Sequence, residues 1–137
     1  MVGFGYWPGA NESDEWGSNY AGHFLLEAQA NGFFVSDYLL QQWKNFQRGR
    51  ANSWVVNSNN FYGADLDQAY RLFTLALAKA PELGAMNRLK EFKYLSPEAK
   101  WKLAAAYKLA GQDNIAVDLI AGLPDRKSTR LNSSHRP

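Results

Sequence analysis

Residues 66–80 read Leu66-Asp67-Gln68-Ala69-Tyr70-Arg71-Leu72-Phe73-Thr74-Leu75-Ala76-Leu77-Ala78-Lys79-Ala80, and this stretch decides the fold. Leu66, Ala69, Tyr70, Leu72, Phe73, Leu75, Ala76 and Leu77 leave little polar surface at helical spacing, which reads as a helix buried on several sides. Asp65 with Gln68 makes a capping-box-like start, and Pro81 sets the far limit.

Working outward, the same character recurs on both flanks. A helix is expected from about Trp16 to Ala30, ending at Asn31-Gly32, a good left-handed cap. Trp16, Tyr20, Ala21, Phe24, Leu25 and Ala28 cover a wide arc that Leu26 and Ala30 extend; Ser18, Gly22 and Gln29 mark a narrow polar strip. This helix too reads as buried. Between the two, Ser36 is an expected N-cap for a helix to about Arg48, with Leu39, Leu40, Trp43 and Phe46 forming one stripe and Gln41, Lys44, Asn45 and Arg48 opposite. That pattern is one-sided and outer. Gly49 to Ala64, rich in Asn, Ser and Gly, reads as a loop in which Ala51 to Val55 can continue the helix.

Beyond Pro81, a shorter and more charged helix is expected from about Glu82 to Phe92. Ser96-Pro97-Glu98 then starts a fifth, with Pro at its first position, running through Trp101, Leu103, Ala106 and Tyr107 to Leu109 before Gly111. A sixth spans Asn114 to Ala121. The order buried, outer, buried, outer, buried, outer predicts an all-α fold of antiparallel helix pairs, which suits either an α/α toroid or an open solenoid.

Composition narrows the function classes. The 137-residue chain is 46% hydrophobic and 15% aromatic, which excludes a disordered polypeptide. Without cysteine it holds no disulfide, thiolate metal site or internal thioester. No apolar run is long enough for a membrane span, and no signal peptide is visible at the start. The formal charge of +2 comes from the tail, where Arg126, Lys127, Arg130 and Arg136 stand against Asp125. The body is close to neutral and offers no electrostatic footprint for nucleic acid. Residues 125–137 lack apolar periodicity and resemble the translation of a common DNA-sequencing adapter, so they are read as a non-native, disordered tail. Residues 1–124 remain as one helical unit.

Several ordered segments of that unit resemble the thioester-containing domain of bacterial alpha-2-macroglobulin-like proteins. They are Tyr6-Trp7-Pro8-Gly9; Glu15-Trp16 with Tyr20-Ala21-Gly22-His23-Phe24-Leu25-Leu26-Glu27-Ala28; Gln68 to Ala78; Glu82-Leu83-Gly84-Ala85-Met86-Asn87-Arg88-Leu89; and Ala99-Lys100-Trp101-Lys102-Leu103-Ala104-Ala105-Ala106-Tyr107. The resemblance covers nearly all of residues 3–124 and implies a partial α/α toroid within a periplasmic or envelope-associated endopeptidase inhibitor. It implies as partners the other domains of the same polypeptide and the target proteases. In that family a Cys–Gln thioester acylates the attacking protease, and such an acyl group must be kept dry until release. The Gly-Cys-Gly-Glu-Gln-type motif does not occur in this chain and would lie before Met1. The expectation is therefore a non-enzymatic scaffold around an upstream thioester, with no catalytic residue, no metal site and no cofactor of its own.

Trp7, Trp16, Tyr20, His23 and Glu27 are the candidate pocket residues. His23 and Glu27 share a helix face at i, i+4. As an acid/base pair they would need a pocket; an interhelical hydrogen-bonding pair accounts for them more simply. They lack a third ligand for a metal. Relatives that transfer to hydroxyls use a histidine in the preceding loop, and Asn11 to Asn19 contains none. Two alternatives stand beside the scaffold. Glu12, Asp14 and Glu15 near Trp7 and Trp16 suggest an α/α-toroid glycosidase, which needs two carboxylates on opposite sides of a bond. The helix pair around Trp101–Tyr107 suggests a helical-repeat interaction module, although no ~34-residue period recurs. Residues 1–124 alone are expected to self-associate, because a helix such as Leu66–Ala80 would lack its toroid partners.

Overall fold

The computed structural model describes residues 15–55 and 63–124, and these form six helices with no strand. They are α1 (Glu15–Ala30), α2 (Asp37–Ser53), α3 (Ala64–Leu77), α4 (Leu83–Lys90), α5 (Pro97–Leu109) and α6 (Asp113–Ile120). Trp7, Glu12, Asp14 and the tail 125–137 lie outside the described residues.

Local signals set most of the boundaries. Ser36 Oγ accepts from Leu39 N at 3.3 Å and Ser96 Oγ from Ala99 N at 3.2 Å, each supplying a partner for an orphan amide of the first turn. Gly111, at φ +82°, closes α5 while Gln112 N donates back to the Tyr107 carbonyl at 2.8 Å. The expected capping box of α3 is corrected. Gly63 occupies the N-cap in the left-handed region, with no side-chain cap bond. Asp65 instead turns to α5, where its Oδ2 accepts from Ser96 N at 2.8 Å. Gln68 turns to α2 and donates to the Ala51 carbonyl at 3.0 Å. Both side chains found a stronger use between helices than at their own helix end. Glu82 likewise does not cap α4; it accepts from Arg48 Nε at 2.7 Å and Asn52 Nδ2 at 3.1 Å.

Helix α3 packs against α1, α2, α4 and α5, while α5 also carries α6 and α2 also meets α4. Odd-numbered helices thus pack on one another through α3, and each even-numbered helix packs on the odd one before it. The main core holds Leu72 and Leu75 of α3, Met86 and Leu89 of α4, and Leu103 and Tyr107 of α5, all without solvent exposure. The residues that follow α3 to Ala80 close it with Ala80 N donating to the Leu75 carbonyl at 2.9 Å. The segment Leu66–Ala80 therefore has cover within this chain.

Burial departs from the expected alternation in two ways. First, α2 and α4 are not simple outer helices, since Trp43, Gln47, Met86 and Leu89 are completely enclosed. The buried stripe of α2 runs Leu40, Trp43, Gln47 and Ala51, with Leu39 and Phe46 only half-buried. Second, α1 is turned the other way round. Its inward residues are Ser18, Asn19 and Gly22, while Trp16, Tyr20 and Phe24 stand 46%, 64% and 63% exposed. The cause is Trp43. A Cβ at Gly22 would lie 2.0 Å from Trp43 Cε2, so the indole occupies the space a side chain would need. Trp43 Nε1 also donates to the Ser18 carbonyl at 3.0 Å. Only the glycine face of α1 admits a ring this closely, and with that face inward the aromatic face points out.

Two outcomes follow. Gly22→Ala is expected to destabilise by about 3 kcal/mol or more through overpacking against Trp43, whereas Gly84→Ala in α4, where a Cβ meets nothing within 4 Å, should stabilise by about 0.5–1 kcal/mol through reduced unfolded-state entropy. Urea midpoints of the two variants moving in the same direction would contradict this packing. Burial, and behind it the Glu91 carboxylate, pushes the Tyr107 phenol from 10.0 up to about 12. A raised folded pKa leaves stability intact below pH 10.0 and removes it as pH rises toward about 12. Denaturant titrations should show that alkaline loss in the parent chain and a flatter profile in Tyr107→Phe.

Candidate functional site

Two of the candidate residues on α1, Trp16 and His23, meet one side chain of α3. Tyr70 is 4% exposed, and its hydroxyl lies 3.0 Å from His23 Nδ1. Its ring meets Trp16 at 4.6 Å between centroids, tilted by 48°, and His23 edge-on at 5.8 Å. Lys102 of α5 places its ammonium 4.9 Å from the Tyr70 centroid and 5.4 Å from that of Phe73. His23 also meets Phe73 edge-on at 5.7 Å. The cluster therefore joins α1, α3 and α5 through one phenol.

Burial, and after it the neighbouring Tyr20, pushes the Tyr70 phenol above its ordinary value. At neutral pH it is a protonated donor, which fits a hydroxyl facing an imidazole nitrogen. His23 Nε2 stands 3.8 Å from Glu27 Oε2, too long for a hydrogen bond and short enough for ion pairing when the imidazole is charged. The Glu27 side chain is 63% exposed and the His23 side chain 31%. So His23 spends its Nδ1 on an interhelical contact, and the carboxylate beside it is a solvent-facing neighbour. Tyr20 and Trp16 extend outward along the same helix.

What this arrangement can do chemically is limited by access. The Tyr70 ring is covered by Trp16 and Lys102, and its hydroxyl is committed to His23. A cavity of about 350 Å³ exists elsewhere, between α5 and α6, lined by Trp101, Ala104, Ala105, Ala116, Val117 and Ile120, with the Lys108–Asp113 ion pair at 3.1 Å on its rim. None of Trp16, Tyr20, His23 and Glu27 lines it. Among the described residues no group of three His, Asp or Glu side chains could hold a metal ion. Glu15 opens α1, but Glu12 and Asp14 lie outside the described residues, so the acidic trio of the glycosidase alternative has no described geometry.

A second constellation escaped the sequence reading. Asn19, Gln47, Gln68 and Arg71, each 0–1% exposed, form a polar ladder between α1, α2 and α3. Gln47 Nε2 donates to Asn19 Oδ1 at 2.6 Å, and Asn19 Nδ2 donates to the Asp67 carbonyl at 3.1 Å. Arg71 donates through Nε to Gln47 Oε1 at 3.2 Å and through Nη1 to Gln68 Oε1. The available signal was Gln47 at four-residue spacing between Trp43 and Ala51, both on the buried face. Satisfied amides of this kind fix one helix register, because any other would strand buried donors.

The chain matches no protein-family model, no curated protein and no solved structure.

If the His23–Tyr70 bond ties α1 to α3, a double-mutant cycle with His23→Leu and Tyr70→Phe should give a coupling energy of about 1 kcal/mol. A coupling indistinguishable from zero would mean that the two groups do not hold the helices together.

Proposed function

We propose that this chain is a non-catalytic helical scaffold, part of the α/α toroid of an alpha-2-macroglobulin-like endopeptidase inhibitor of the bacterial envelope. The observation that carries the reading is the packing order: α1 and α5 both lie on α3, and α2, α4 and α6 each lie on the helix before them. An arc of a two-layered toroid is built in this way, from helix pairs whose first members are neighbours. Apart from Tyr6–Gly9, which lies outside the described residues, the ordered segments that resemble the thioester domain fall on or beside α1, α3, α4 and α5, four of the helices in this arc.

The cluster around Tyr70 fits a scaffold better than an active site. Its polar groups are turned toward one another across helices and its central ring is covered. In the parent protein such packed aromatic helices would keep an acylating thioester dry and hold it in position. This chain has no cysteine, so the acyl group would come from another part of the polypeptide. Target proteases and neighbouring domains of the same polypeptide are the partners that this role requires.

Sequencing the gene through both ends of this reading frame tests the proposal. Upstream β-rich domains and a Gly-Cys-Gly-Glu-Gln-type motif are the expected result; an upstream sequence with neither would remove it. The parent protein should also form a denaturant-resistant adduct with an added protease, and lose that ability after treatment with methylamine.

A further inference from the structure

We infer that residues 3–9 of this chain fold back as a strap over the outward face of α1, running antiparallel to the helix. This does not rest on the thioester-domain reading. Trp16, Tyr20 and Phe24, 46%, 64% and 63% exposed, stand at four-residue spacing and form a single ridge. The Trp43–Gly22 contact behind it fixes that ridge outward, so its cover has to come from outside the six helices. The sequence immediately before α1 has the composition for that role. Gly3-Phe4-Gly5-Tyr6-Trp7-Pro8-Gly9, which lies outside the described residues, holds three large rings, and no charged side chain precedes Glu12. Helix α1 itself carries no Lys or Arg to be buried beneath it.

Spacing and reach agree with this occupant. In an extended chain, side chains two residues apart share a side at about 6.6 Å, and residues four apart on a helix are about 6 Å apart along its axis. Phe4 and Tyr6 can therefore meet two successive ridge residues, Phe4 over Phe24 and Tyr6 over Tyr20, in antiparallel register. Residues 7–14 join Tyr6 to α1 and span up to about 26 Å when extended, whereas Tyr20 lies only about 7.5 Å along the axis from Glu15. The slack accommodates the chain reversal for which Pro8-Gly9 is suited, Pro presetting φ at the first turn position and Gly accepting positive φ at the second. A tether this short holds the segment against the ridge at an effective concentration on the order of millimolar. That advantage favours the chain's own segment over a second copy arriving from solution.

Because the chain has no cysteine, disulfide trapping in the full 137-residue chain tests the strap without removing a ring. Gly3→Cys is paired with Glu27→Cys, one turn beyond Phe24, where the antiparallel register brings residue 3; the Glu27 side chain is 63% exposed. The comparison pair is Gly3→Cys with Val117→Cys, 62% exposed on α6. Both helix positions face solvent, so the variants should keep the helical circular dichroism of the parent chain. The expected result is a monomeric, intramolecular disulfide that forms about tenfold faster or more in the first pair. Adding Phe4→Ser and Tyr6→Ser should abolish that advantage. Equal rates in the two pairs overturn the proposal, as does an advantage that survives loss of the two rings. A disulfide-linked dimer as the main product also overturns it, and assigns the face to a second copy.

Discussion

The rest of the structure depends on one close approach, the Trp43 indole lying against the backbone of Gly22. Helix α1 offers two faces to the protein, one with large rings and one with Ser18, Asn19 and Gly22. Hydrophobic area alone would turn the rings inward. Trp43 reverses that outcome because a fully buried indole needs both a flat seat and an acceptor for its N–H. The glycine supplies the first and the Ser18 carbonyl, 3.0 Å away, the second. The orientation of α1 follows, and with it the exposure of Trp16, Tyr20 and Phe24 and the positions of Asn19 and His23 opposite α3.

From that contact the interior divides into two kinds of packing. Between α3, α4 and α5 the core is apolar and close-packed, with Leu72, Leu75, Met86, Leu89 and Leu103 fully enclosed. Between α1, α2 and α3 an apolar cluster around Trp43 and Ala78 stands beside a polar, directional one, in which Asn19 bonds Gln47, Gln47 bonds Arg71 and Arg71 bonds Gln68. The apolar half contributes most of the burial energy. The polar half contributes little net energy per bond but rejects other registers, since each slip would leave buried amides without partners. Helix α3 belongs to both halves, which is why its polar residues could not be read as a solvent strip.

Features written in a few neighbouring residues were legible in the sequence. Ser36, Ser96-Pro97 and Gly111 end or begin helices through backbone geometry and local hydrogen bonds, and the helices stand close to where those residues put them. The all-helical class was legible for the same reason. The face of α1 was not, because it is decided by Trp43, some twenty residues away, and no periodicity within α1 carries that information. Asp65 and Gln68 had the spacing of a cap but are used by Ser96 and Ala51, which lie on other elements. In the candidate site His23 stood out as a lone imidazole inside an apolar arc. Its partner Tyr70 did not, since an aromatic residue in a buried helix is ordinarily packing, and the hydroxyl's role appears only when α1 and α3 are brought together.

Proton NMR at Gly22 and Trp43 tests the central claim most directly. With the indole seated on the glycine, the Gly22 α-protons should be displaced by the ring current from their random-coil positions. The Trp43 indole N–H, donated to a buried carbonyl, should exchange with solvent far more slowly than an exposed indole. Random-coil shifts at Gly22 together with a rapidly exchanging Trp43 N–H would contradict the account, and α1 would have no reason to face as it does.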